Sequence, residues 1–125
     1  MSGFGMKASL KDIEGEITKQ DERYVVMDRK IGEHLIISST RLNPKCKTSG
    51  HDHATQDEVY MFLEGAGVIE VGSRTFEVES GDIVLIEAGE FHRVHNTDKS
   101  EQLYFVCVFN GKREKTSIGT DAHGE

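Results

Sequence analysis

From Arg23 to Asn110 the chain is a succession of short segments rich in Val, Ile, Phe and Tyr, divided by Gly, Asn, Asp and Ser. No part of that stretch repeats apolar residues at helical spacing over several turns, so a helical or mixed α/β fold does not fit. The texture is that of an all-β domain. The expected strands run over 24–28, 33–41, 58–64, 67–71, 74–78, 83–86, 92–96 and 102–109. Gly72 and Ser73, between VIEV and RTFEV, have the form of a tight hairpin turn, because glycine supplies the positive φ that such turns require. So many short strands would leave exposed edges unless the sheet closes, which predicts a barrel or a two-sheet sandwich.

A length of 125 residues fits one domain. Residues 1–22 read as an N-terminal arm with scattered apolar positions at Leu10, Ile13 and Ile17, either a loose amphipathic turn or a segment that docks on a partner. Residues 23–110 form the barrel domain, and 111–125 read as a polar, flexible tail that includes His123. The net charge of -7 argues against a nucleic-acid partner. The longest apolar run, LYFVCVF at 103–109, is far shorter than the roughly 20 residues of a membrane-spanning helix. The start, MSGFGMKASLKDIEGE, lacks the basic opening and apolar stretch of a secretory signal, so the expected location is cytoplasmic, with no membrane partner. Cys46 and Cys107 form no CxxC pair; Cys107 reads as a small core residue and Cys46 as a bystander.

Four residues carry the chemistry. In an extended segment the side chains of His51 and His53 project to one face, as two imidazoles sharing a cation must. Glu58 opens a strand and shares its parity with Tyr60 and Phe62, so its carboxylate points to an aromatic side, where burial is costly without a positive partner. His92 opens a later strand. Singly, each has a plain structural reading: a surface His-x-His, a salt bridge at the barrel mouth, a hydrogen-bonded core histidine. Together, three imidazoles and one carboxylate suit one divalent transition metal (Fe, Mn, Ni, Co, Cu or Zn) better than Ca or Mg. Metal affinity is then expected to fall as pH drops through the histidine range. His95 has the opposite parity to His92 and is expected to face away, and His34 reads as a core or interface histidine.

At these residues the chain resembles the cupin superfamily, specifically its small members with one conserved barrel. The first cupin motif, G-x5-H-x-H-x(3,4)-E-x6-G, is matched in its ligand half by His51, His53, Glu58 and Gly65. The second, G-x5-P-x-G-x2-H-x3-N, is matched by Gly81, Gly89, His92 and Asn96. Two positions depart: Lys45 stands where the opening Gly is expected, and Glu87 replaces the proline. The resemblance covers about residues 40–110. It implies a double-stranded β-helix, or jelly roll, with the metal inside the barrel. It also implies a homodimer formed by packing sheets or exchanging N-terminal strands; the second face of Val59, Met61 and Leu63 would suit such a seam.

One fold hosts many chemistries. The first expectation is an enzyme acting on a small oxygen-rich metabolite, as sugar and sugar-phosphate isomerases among cupins do. In that reading Glu58, or nearby Glu90, is the base, and Tyr60 donates a hydrogen bond to a developing enediolate. The alternatives are an Fe(II)-dependent dioxygenase with Phe62, Phe91 and Tyr104 lining the pocket, and a non-enzymatic metal or small-ligand binding module.

Overall fold

The computed structural model describes residues 6–50 and 56–111. His51 and His53 therefore lie outside the described residues. Every regular element is a strand: β1 (Glu16–Gln20), β2 (Tyr24–Ile31), β3 (Leu35–Leu42), β4 (Glu58–Glu64), β5 (Ala66–Val71), β6 (Arg74–Glu79), β7 (Ile83–Ile86), β8 (His92–His95) and β9 (Leu103–Asn110). They form a six-stranded sheet in the order β1-β2-β3-β9-β4-β7 and a three-stranded sheet in the order β6-β5-β8. All strand pairs are antiparallel. No helix among the described residues is long and apolar enough to cross a membrane.

Period-two alternation decides which side chains go inside. Along β4, Glu58, Tyr60 and Phe62 are buried while Val59, Met61 and Leu63 are only partly covered. The interior joins Tyr60, Phe62 and Phe105 with Ile69, Val71, Val94, Leu42 and Cys107. The rings of Tyr60 and Phe105 stack at 5.5 Å, and Phe62 lies 5.3 Å from Phe105. Each such buried aromatic contributes roughly 1.5–3 kcal/mol relative to exposure. A second cluster, Ile13, Ile37, Tyr104 and Val106, lies on the outer side of the six-stranded sheet.

The turns explain the strand boundaries. β5 and β6 meet at Gly72, whose φ is +59°, with Val71 directly opposite Arg74. Gly65, between β4 and β5, has φ +85°, and a Cβ there would come within 2.5 Å of the Gln102 carbonyl oxygen. Lys45, at the position where the first motif expects glycine, has φ +63°, so a lysine adopts a left-handed backbone that glycine would take without strain.

Three expectations need correction. The segment EITKQ, read as part of a loose arm, pairs with β2 as an edge strand. His34 is not a core histidine: it sits in the exposed turn between β2 and β3, beside Glu33 at 3.7 Å, because Gly32 at φ +77° reverses the chain there. Tyr104 does not line the interior; it lies on the outer face and its hydroxyl donates to the Leu10 carbonyl. Burial raises the Tyr104 hydroxyl above its ordinary pKa.

Candidate metal centre

Glu58 begins β4 opposite Ile86 of β7, and His92 begins β8 opposite Val71 of β5. The two sheets thus bring the first residues of two strands together inside the barrel. Both side chains are 2% exposed, with Glu58 Oε1 3.8 Å from His92 Nε2. His92 Nδ1 lies 3.2 Å from the Glu90 carbonyl. A carbonyl only accepts, so Nδ1 carries the proton in that contact and Nε2 is the ring nitrogen turned toward Glu58. The Tyr60 ring stands edge-on to His92 at 5.6 Å. The Cys107 thiol donates to Glu58 Oε1 at 3.8 Å.

A separation of 3.8 Å is too long for a direct N–H···O hydrogen bond. Two donors each about 2.1 Å from one ion stand no more than about 4.2 Å apart, so this pair lies within reach of a shared cation. A carboxylate and an imidazole nitrogen brought together in the interior are stabilised by positive charge, which a cation between them supplies. The donor set therefore fits a metal ion, although no three His, Cys, Asp or Glu side chains among the described residues stand close enough to hold one alone.

The residues just before the His51 and His53 segment meet the strand that carries His92, and those just after it meet the turn that precedes that strand. Thr48 exchanges hydrogen bonds with Val94 through its backbone N–H and its hydroxyl. Arg93 donates to the Ser49 carbonyl at 2.8 Å, and Gly50 lies against Phe91 and Arg93. On the far side, Asp57 accepts from the Ala88 N–H at 3.0 Å.

Other candidate residues lie elsewhere. Glu90 is not placed to act as a base at this pair: its carboxylate accepts from Arg74 at 3.1 Å and from the Glu87 N–H at 3.0 Å. The second contact also explains the departure at position 87, since a proline there has no N–H to donate. Asn96 is buried and structural, donating to the Leu42 and Glu101 carbonyls and accepting from the Asp98 N–H. His95 faces outward and pairs with Glu70. That hydrogen bond, aided by Arg93 and Lys47, holds the Glu70 carboxyl below its ordinary value. Phe62 is interior, whereas Phe91 is half-buried beneath the Arg93 guanidinium. A cleft of about 500 Å³ between β6 and β7, lined by Arg74, Phe76, Glu77 and Asp82 among others, is separate from the Glu58 and His92 pair.

Two groups in the barrel wall escaped the reading of the sequence. Ser38, Cys107 and Tyr60 stand in one cross-strand row facing inward. Cys107 was legible only as a core residue and Ser38 not at all, because the contact of Cys107 with Glu58 and the place of Ser38 beside Cys107 depend on the β3-β9-β4 register.

Antiparallel sheets folded face to face, with motif residues meeting inside, define a double-stranded β-helix. Residues 39–109 match the family model for the cupin domain, and the chain belongs to the cupin family. The uncharacterized protein SCO3923 of Streptomyces coelicolor is 33% identical over 106 residues, covering 84% of this chain and 96% of that one. The uncharacterized protein y4oW of Sinorhizobium fredii is 33% identical over 82 residues, and the match spans 38% of that protein's length. A Klebsiella pneumoniae protein with a double-stranded β-helix domain superimposes with a TM-score of 0.70 at 16% identity, over 85% of this chain and 90% of that one. Bacillus subtilis oxalate decarboxylase, a protein with Mn(II) centres, superimposes with a TM-score of 0.72 at 20% identity, over 81% of this chain and 29% of that one. At such identities the two structures speak for the fold alone.

Proposed function

We propose that this cupin holds one divalent transition-metal ion with His51, His53, Glu58 and His92 and acts on a small oxygen-rich metabolite, in the manner of a sugar or sugar-phosphate isomerase. The observation that carries the reading is the buried pair: a histidine whose Nδ1 is engaged by the Glu90 carbonyl, so that Nε2 faces the Glu58 carboxylate at 3.8 Å. When bound, the ion supplies Lewis acidity to adjacent oxygens of the substrate.

The chain's own residues do the rest. The Glu90 carbonyl fixes the His92 tautomer and ring orientation, as outer partners of ligand histidines do. The Cys107 thiol steadies one oxygen of Glu58. Glu58 would take the proton from the carbon beside the substrate carbonyl and return it to the former carbonyl carbon, while Tyr60 would donate to the oxygen that gains charge in between. The rings of Tyr60, Phe62 and Phe105 keep water from the site. The same rings favour a second reading, an Fe(II)-dependent dioxygenase with a less polar substrate.

Elemental analysis of protein purified without chelator should find about one transition-metal ion per chain, and a His51→Ala, His53→Ala variant should lose it. Unchanged stoichiometry in that variant would eliminate the site. Turnover of a sugar phosphate without oxygen supports the isomerase; iron with oxygen uptake supports the dioxygenase instead.

A further inference from the structure

A sheet edge offers unpaired backbone N–H and C=O groups to any extended chain unless it is blunted. Here the two sheets end on β1, β7, β6 and β8. Three of these edges are blunted. β1 carries Lys19 and a register shift between Ile17 and Lys19. β6 places charge along its length at Arg74, Glu77 and Glu79. Residues 46–48 run along β8, where Lys47 bridges His95, the Thr48 N–H donates to the Val94 carbonyl and the Cys46 carbonyl accepts from the Asn96 N–H. Among the described residues nothing comparable guards β7. Its sequence is IVLI, with no charge and no proline, and its pairing with β4 is unbroken.

The Phe62 N–H donates to the Asp82 carbonyl, and the register continues with Tyr60 opposite Val84 and Glu58 opposite Ile86. Hydrogen-bonded pairs alternate along an antiparallel ladder, so Ile83 and Leu85 turn their N–H and C=O groups away from β4, toward the free side. Their side chains are 68% and 51% exposed. Beside them lies the cleft of about 500 Å³ between β6 and β7, whose apolar lining includes Phe76, Val78 and Val84.

We infer that this edge takes up an extended segment of a partner protein, apolar at its centre and basic at both ends, which adds antiparallel to β7 as a further strand. The charges around the edge select that occupant. Asp82 and Glu87 flank IVLI, and Glu77 joins them in lining the cleft. Among the described residues the only cation in that lining is Arg74, and Glu90 holds it at 3.1 Å. Two copies pairing β7 with β7 over these four residues would set Asp82 against Glu87 at both ends, and like charges directly opposite repel. A segment with lysine or arginine at those two places makes an attractive pair at each end instead. The backbone groups of Ile83 and Leu85 then find partners, and alternate side chains of the segment enter the cleft or lie beside Ile83 and Leu85.

The probe is a six-residue peptide, acetylated and amidated at its ends, with valine and threonine alternating between two terminal lysines. Titrated into the whole chain and followed by NMR, it should shift the amide signals of Ile83 and Leu85 to saturation, with an affinity that falls as salt rises. The same peptide with terminal glutamates should bind at least about tenfold more weakly, because two attractive cross-strand pairs become repulsive. Glu77→Lys with Glu87→Lys, both at exposed positions, should erase that preference. Leu85→Pro removes an N–H on the free side and none of the bonds to β4, so it should abolish binding while the protein keeps its far-ultraviolet dichroism. Equal binding of the two peptides, shifts confined to residues away from β7, or no binding of either would overturn the inference. So would binding that emerges only after Lys112, Arg113 and Lys115 are changed to glutamate, which assigns the edge to the chain's own basic segment. A dimer mass that falls to the monomer in Leu85→Pro would likewise overturn it, by assigning the edge to a second copy.

Discussion

Ser38 stands on the interior wall of the barrel, directly across β3 and β9 from Cys107, and its hydroxyl finds no hydrogen-bond partner among the described residues. A buried, unpaired hydroxyl costs about 1–3 kcal/mol. Ser38→Ala should therefore raise the free energy of unfolding by about 1 kcal/mol in denaturant titration, and a loss of stability would show that the hydroxyl is satisfied. Glu70 behaves oppositely. Its folded pKa lies below the ordinary 4.5, first because His95 hydrogen-bonds to it. A depressed carboxylate stabilises the fold above its unfolded pKa, and that contribution fades as pH falls through the lower folded value. The stability gap between the native protein and Glu70→Gln should accordingly be full at neutral pH and close below the ordinary carboxylate range. A gap that persists unchanged to the most acidic pH at which the fold survives would contradict the pairing.

At the scale of elements, legibility followed short apolar runs bounded by turn or polar residues. EVYMFLE is such a run ending at Gly65, and β4 spans Glu58–Glu64; IVLI, after Gly81 and Asp82, is another, and β7 spans Ile83–Ile86. EITKQ has a single large apolar residue, so nothing in its own pattern reveals a strand; β1 exists because β2 offers an edge and the outer face has room for Ile17 opposite Met27. The residues before it are held by Ile13, which is 1% exposed. Ile13→Ala should cost roughly 2–5 kcal/mol, the range for emptying such a site. A thermal midpoint unchanged by that substitution would mean that the segment does not hold the sheet. His34 and Tyr104 were misplaced for related reasons. A positive-φ glycine moved the turn onto His34, and Tyr104 takes the outward parity of β9 between inward-facing Leu103 and Phe105.

At the scale of the molecule, the candidate site is the product of closure. Glu58 lies in the six-stranded sheet and His92 in the three-stranded one, and only the folding of one over the other sets them 3.8 Å apart. Motif spacing made the meeting of Glu58 and His92 legible, since each opens a strand at a fixed offset from a turn glycine, while His51 and His53 lie outside the described residues. The neighbours that tune them were not legible, because the Glu90 carbonyl and the Cys107 thiol arrive by backbone geometry and cross-strand register. Whether a cation sits between Glu58 and His92 is read most directly by anomalous diffraction from crystals of the protein as purified. One strong peak is expected about 2.1 Å from both His92 Nε2 and a Glu58 carboxylate oxygen, with His51 and His53 completing the shell. A metal-loaded protein whose peak lies away from that pair would contradict that placement.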